Sequence, residues 1–399
     1  MNTDKSHIIQ LSDMLEKAAS SVRILRNIDW PKEVKTEFFR NNAEKLPVVE
    51  YEAYDPKDVL HQIRQIRKLA NDESDEVHQW VNKIADKIES SSMMLASRGT
   101  HDFFKYSKEL YGEPTAPLPG EEKSALSLAK HFDHIFDHIT EMHLGAPLND
   151  VNAEHLAAEM EKAVNKMFGE HAPEVVLDNK MASKAIAGRR RIKVRPSATF
   201  TEKDINQLIE HEAAIHVGTS INGYLQPHLK ILSESHAGTT KTQEGIAVFA
   251  EYITGYIDLD RVMRLTDRVL ANQMAVEGAD FIEVYRFYQG RSASDDAAYD
   301  NARRVFRGGV ITGGAPFTKD IVYLDGFIRV HQYLKECMLN GNIDDLNLLF
   351  CGKLDISDIP ILKHFHSLGL VEMPRYLPTW MNDKRFLLTH LAYGSFLSD

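Results

Sequence analysis

Residues 211–216 read His-Glu-Ala-Ala-Ile-His, two imidazoles five positions apart with a glutamate beside the first. Twenty-seven positions after His216 begins Gln243-Glu244-Gly245-Ile246-Ala247, which brings another carboxylate to the start of an apolar run. Two imidazoles, a carboxylate and a spare glutamate are the minimum for a metal-activated water. Three ligands leave the fourth tetrahedral position of zinc to water, and the metal lowers the pKa of that water towards neutrality. On that chemistry His211, His216 and Glu244 are the ligands of one Zn2+ ion, and Glu212 is the general base that takes the proton of the water and later delivers it to a leaving amine. The reaction also needs a donor for the developing oxyanion, opposite the base. Tyr323 and His331 lie downstream in an apolar helical stretch, and the hydroxyl of Tyr323 is the preferred candidate.

The spacing makes a structural demand. Each residue of a regular α-helix turns about 100°, so positions four apart lie about 40° apart around the axis and positions five apart about 140°. His211 and His216 do not reach one ion from such a helix. A π-bulge absorbs the extra residue and returns both rings to one face, so the spacing predicts a distorted helix between Glu212 and His216. Thr201-Glu202-Lys203-Asp204 is a suitable start for that helix. Ahead of it, residues 191–200 alternate apolar and polar through Ile192 and Val194 and predict an edge-like strand, against which zinc peptidases hold an extended substrate. Residues 174–177 are also β-like. Thr242 is expected to cap the helix that carries Glu244, which puts Glu244 in its first turn. Glu251, seven residues on, returns to nearly the same face and is a candidate to orient a ligand imidazole.

Helical spacing of apolar residues runs through 8–25, 59–69 and 77–95, and helices resume from Gln243. The expected fold is mainly α with a small β-sheet (α+β): an N-terminal helical lobe over residues 1–165 and a zincin-like metallopeptidase domain over 166–399. The Gly- and Pro-rich stretch 112–120 is a candidate hinge or lid between helical blocks.

The 399 residues are 43% hydrophobic and 26% charged, with a net charge of −11. The charge argues against nucleic acid as a partner, and the basic run 189–195 is read as a strand with a solvated face. No apolar run is long enough to span a bilayer, residues 1–11 lack an apolar signal core, and two cysteines make no disulfide framework. Those features lead us to expect a cytoplasmic protein with no membrane partner. They leave the oligomeric state open. His131, His134 and His138 share a helical face with Glu141 nearby, a possible second metal site, but the apolar stripe beside them is explained by an amphipathic helix alone. Gly308-Gly309 and Gly313-Gly314 lack the Lys-Ser/Thr of a phosphate loop and suit close backbone approach to the active cleft or a mobile loop. His364, His366, Cys337 and Cys351 are read as structural.

From His211 to Glu244, with Thr219, Asn222-Gly223 and Gln226-Pro227 between, the sequence resembles the QEGLA-motif proteins and their animal relatives, the microtubule-associated tyrosine carboxypeptidases, which remove the terminal tyrosine of tubulin. The segment from Arg303 to Asp320 looks like the same family. The likeness covers roughly residues 50–395 and is strongest over 190–330. It implies a zinc metallopeptidase in which the two histidines and the motif glutamate hold the metal and the glutamate after the first histidine is the catalyst. These roles fall on His211, His216, Glu244 and Glu212. Ile246 replaces the leucine of the motif, a swap that keeps apolar volume. The net charge and the lack of a long basic N-terminal extension argue against carrying over tubulin as the substrate. A carboxypeptidase acting on a peptide or protein C-terminus needs a cation for the terminal carboxylate, and Arg304, Arg307 and Lys319 are the candidates. The alternative class is a regulatory binding protein that keeps the metal for structure.

Overall fold

Most of the segments with helical periodicity become helices, and one small sheet interrupts them. A computed structural model describes residues 4–118, 123–140, 150–179, 181, 184–291 and 294–397. Before the sheet come α1 (Lys5–Ser21), α2 (Lys57–Leu69), α3 (Glu76–Ala96), α4 (His101–Tyr111), α5 (Ala125–Thr140) and α6 (Ala153–Phe168). The sheet holds β1 (Glu174–Leu177), β2 (Ala185–Gly188) and β3 (Arg191–Val194). After it come α7 (Glu202–Leu208), a π-helix (Ile209–Val217), α8 (Gly218–Leu225), α9 (Ala237–Ile253), α10 (Leu259–Val276), α11 (Phe281–Arg291), α12 (Asp295–Phe306), α13 (Val322–Leu339), α14 (Ile359–Ser367) and α15 (Lys384–Leu397), joined by shorter helical turns. The fold is mainly α with a small β-sheet.

The sheet order is β1-β3-β2, with β1 parallel and β2 antiparallel to β3. Ile192 and Val194 of β3 are buried while Arg191 is exposed, the alternation the sequence shows. Ile192 packs in one apolar cluster with Phe168 of α6 and Ala213 and Val217 of the π-helix, so the sheet lies directly against the His-bearing helix. Two strand expectations need correction. The strand ends at Val194 rather than running to residue 200, because a turn follows at Pro196, which has no N–H to give a ladder. β3 is also the central strand; the edge strand beside the motif helix is β2, whose Ala and Gly residues carry weak β propensity.

The apolar stripes at the start of the chain are spent on the core under the motif helix. Ile8, Leu11 and Leu15 of α1, Ile63 of α2 and Ile84 of α3 share a cluster with Ile215, Phe249 of α9, Leu334 of α13 and Leu362 of α14. α9 and α13 cross where glycine faces glycine. A Cβ on Gly245 would lie 2.2 Å from the Gly326 carbonyl oxygen, and one on Gly326 would lie 2.2 Å from that of Lys241.

Other expectations resolve locally. Gly112 ends α4 at φ 86°, while Pro119 and Gly120 of the 112–120 stretch lie outside the described residues. Gly313 (φ 90°) makes a close backbone approach, but to Gly278 and Ala279 after α10 rather than to the residues of the motif helix. On α5, Asp133 pairs with Arg291 at 2.6 Å, and His134 packs edge-on against His138. Glu141 lies outside the described residues, and among the described residues that helix supplies no cluster of metal ligands. His366 Nδ1 bonds the Val371 carbonyl, and Cys337 and Cys351 are buried free thiols. No helix among the described residues is long and apolar enough to cross a membrane.

Asp267 of α10 gives the fold a pH dependence. Burial raises its carboxyl to about 6, against the pull of Arg291 and with the help of Asp133. A carboxyl raised in the folded state contributes stability below its ordinary pKa, and that contribution is lost as pH rises through about 6. Asp267→Asn should therefore be more stable than the wild type at pH 7.5 by roughly 1–2 kcal/mol, with the difference gone near pH 4. Thermal unfolding at the two pH values measures it, and equal stability at pH 7.5 contradicts it.

Candidate metal centre

The capping box foreseen at Thr201 and Asp204 starts α7, which widens into the π-helix at Ile209 and returns to α-helix at Gly218. The widening meets the demand of the five-residue spacing. The rings of His211 and His216 lie 4.8 Å apart between centroids, edge to face at 87°. From α9, Glu244 Oε2 stands 3.5 Å from Nε2 of each ring. Tetrahedral zinc ligands at bond lengths near 2.0–2.1 Å are about 3.4 Å apart, so these separations suit a zinc-sized ion. Glu244 Oε2 is buried and has no hydrogen-bond partner, an orphaned acceptor of the kind a cation satisfies. Among the described residues this is the one group of three or more metal-ligand side chains.

Neighbouring charges fix these groups. His211 Nδ1 donates to Glu251 Oε1 at 2.6 Å, and Arg261 of α10 grips Glu251 with two bonds of 2.9 Å. Glu251 is fully buried, yet Arg261 and His211 hold its carboxyl down to about 2. Burial lowers the His211 pKa, but Glu244 and Glu251 outweigh it and raise the ring to about 10. At His216 burial wins and the pKa falls. Burial pushes the Glu244 carboxyl up, but Lys319 and the two imidazoles hold it well below the carboxylate range. The second oxygen, Glu244 Oε1, accepts from Lys319 Nζ at 3.2 Å.

Glu244 is not in the first turn of its helix. α9 starts at Ala237 with His236 as N-cap, and Thr242 lies in its second turn, bonded to Asp355 and to the Ile356 N–H. The run Ala-Gly-Thr-Thr-Lys at 237–241 reads locally as loop, which hid the start.

Glu212 Oε2 accepts the Ala187 N–H of β2 at 3.1 Å, at the sheet edge. Tyr323, at the start of α13, lies among cations: Lys319 Nζ is 5.2 Å and the Arg268 guanidinium 4.5 Å from its ring centre. Burial and Glu244 push its phenol up, but Lys319, Arg304 and Arg268 outweigh them and leave it below the usual value. His331 instead packs among Phe249, Tyr252 and Phe327, away from the ligands. The three expected carboxylate cations part company. Arg304 gives its fork to Asp320 in bonds of 2.6 and 2.8 Å, so it presents no open fork. Lys319 reaches Glu244. Arg307 stacks over Phe317, and burial lowers it to about 10.

Sequence reasoning missed Arg261, Arg268 and Lys353. Lys353 is buried, and its Nζ bonds the His216 carbonyl, the Thr219 hydroxyl and Gln243 Oε1. It lies 110 positions beyond Gln243 in the chain, and no local pattern links them.

The sequence profile of the family described as microtubule-associated tyrosine carboxypeptidase matches residues 36–399 and takes in every residue of this centre. No curated protein matches the chain significantly. A solved chain from Colwellia psychrerythraea, provisionally labelled a lipoprotein, overlays at TM-score 0.40 with 12% identity, over 90% of this chain and 66% of that one. This chain thus spans just under two thirds of that chain's length.

Proposed function

The chain belongs to the microtubule-associated tyrosine carboxypeptidase family, and on that premise we propose that it is a zinc-dependent carboxypeptidase, removing the C-terminal residue of a peptide or protein. The observation that carries the reading is the Glu244 oxygen, buried, otherwise unpartnered and 3.5 Å from two imidazole nitrogens. His211, His216 and Glu244 would hold the zinc ion, which would supply a Lewis acid and a water acidified towards neutrality. Glu212 takes the proton of the attacking water and passes it to the leaving amine. Its position at the β2 edge suits a substrate laid along that strand, with the scissile carbonyl between base and ligands. Tyr323 donates to the oxyanion, with its phenol acidified by the surrounding cations. Arg307 and Lys319 are the cations left to meet the terminal carboxylate, since Arg304 is tied to Asp320.

Glu251 holds the His211 ring at Nδ1 and leaves Nε2 turned to Glu244. Glu251→Gln removes the charge and leaves Arg261 uncompensated, so zinc affinity should fall about 10–100-fold. Competition with a chelating dye measures this, and wild-type affinity would free His211 of that support.

The proposal is tested by digesting C-terminal peptide libraries with the zinc-loaded protein, using Glu212→Gln as the blank. Release of single C-terminal residues, with none from amidated peptides, is the expected result. Equal cleavage of amidated peptides would indicate an endopeptidase, and no cleavage of any library would leave the regulatory reading.

A further inference from the structure

Lys353 is 5% exposed, and no carboxylate lies in hydrogen-bond contact with its Nζ. A buried polar group is costly unless it finds hydrogen-bond partners. This Nζ meets three acceptors: the His216 carbonyl at 3.0 Å, Thr219 Oγ1 at 3.0 Å and Gln243 Oε1 at 2.9 Å. Its backbone is fixed as well. The Lys353 N–H donates to the Leu232 carbonyl at 2.7 Å, and Gly352 packs so closely on that segment that a Cβ would come 2.5 Å from the same oxygen.

The acceptors sit at telling places. His216 is near the end of the π-helix, where the wider ladder hands over to the α-helix that starts at Gly218. Side chains bond two carbonyls there: Thr219 Oγ1 donates to Ile215 and Lys353 to His216. The third acceptor, Gln243, immediately precedes Glu244 on the other ligand-bearing helix. Lys353 Nζ therefore touches one ligand residue directly and the neighbour of another, and spans the gap between their helices.

We infer that Lys353 is a positioning residue of the metal centre: by bonding the His216 carbonyl and the Gln243 amide together, it fixes the spacing between the π-helix and α9 at which His216 and Glu244 reach one ion. Gln243 and Thr219 are its partners in this brace, which gives the glutamine beside Glu244 a physical task. Lys319 holds Glu244 from its other oxygen, so the two lysines constrain different degrees of freedom. The inference rests on the metal-centre reading above.

The experiment uses the full chain as wild type, Lys353→Met, Lys353→Arg and Gln243→Met. Zinc affinity is measured by dye competition, the visible absorption band of the cobalt-loaded protein is recorded, and thermal unfolding is followed without metal. Lys353→Met is expected to weaken zinc binding at least about 10-fold and to change the cobalt band, with Lys353→Arg restoring much of both. Gln243→Met, which removes one acceptor at nearly constant volume, should weaken binding several-fold, and it decides the question if Lys353→Met does not fold. Folded variants that unfold at lower temperature yet bind zinc as tightly, with the cobalt band unchanged, overturn the inference. A wild type that takes up no stoichiometric zinc defeats the metal-centre reading instead, and the inference with it.

Discussion

Glu212→Gln is expected to lower kcat by at least about 10³-fold on any C-terminal substrate while zinc content stays at the wild-type level. Glutamine keeps the volume of the side chain and still offers an oxygen to the Ala187 N–H, the one contact of Glu212 that organises the sheet edge. It does not accept a proton. Glu212 is also outside the ligand group, whose three atoms come from His211, His216 and Glu244. The substitution therefore separates chemistry from metal binding. Steady-state kinetics with metal analysis of the same sample measures both. Activity that survives removes Glu212 from the role of base; loss of zinc would mean that it holds the ion.

Gly245→Ala should cost at least about 3 kcal/mol of stability and weaken zinc binding with it. The new methyl would meet the Gly326 carbonyl oxygen at 2.2 Å and its carbon at 2.4 Å, and both belong to backbone that has no rotamer to change. α9 and α13 must part, and Glu244, the adjacent residue, moves with α9 while His211 and His216 stay on the π-helix. Gly290→Ala on α11 is the control, because nothing lies within 4 Å of its added methyl. That change should be neutral or stabilise by about 0.5–1 kcal/mol through helix propensity. Denaturant unfolding of the two variants checks the contrast, and equal stability would mean that the helix crossing yields freely.

The parts of the centre legible in the sequence are those governed by helical period. The five-residue spacing of His211 and His216 called for a π-helix, and one spans Ile209–Val217. The seven-residue step from Glu244 to Glu251 put a carboxylate on the right face, and it bonds His211. The capping box at Thr201 is likewise a local signal. What stayed hidden depends on the tertiary fold. Arg261 is recognisable only once the chain turns after α9 and brings it back to Glu251, ten positions earlier. β2 is too poor in β-formers to stand out, and its importance comes from the Glu212 contact. Arg304 illustrates the reverse case: a free guanidinium fork in the sequence is a filled one in the fold, because Asp320 sixteen positions away turns back to meet it. The glycine in Gln243-Glu244-Gly245 is visible as a residue, but its reason, the passage of α13 at Gly326, is tertiary.

X-ray absorption at the zinc edge of the zinc-loaded full chain reads the ligand shell itself. One ion per chain is expected, with a shell of two imidazole nitrogens, at least one carboxylate oxygen and a water oxygen at about 2.0–2.2 Å, lost in both His211→Ala and His216→Ala. An ion bound through sulfur or closed by a fourth protein side chain would rule out a catalytic centre of His211, His216 and Glu244, as would zinc retained without either histidine.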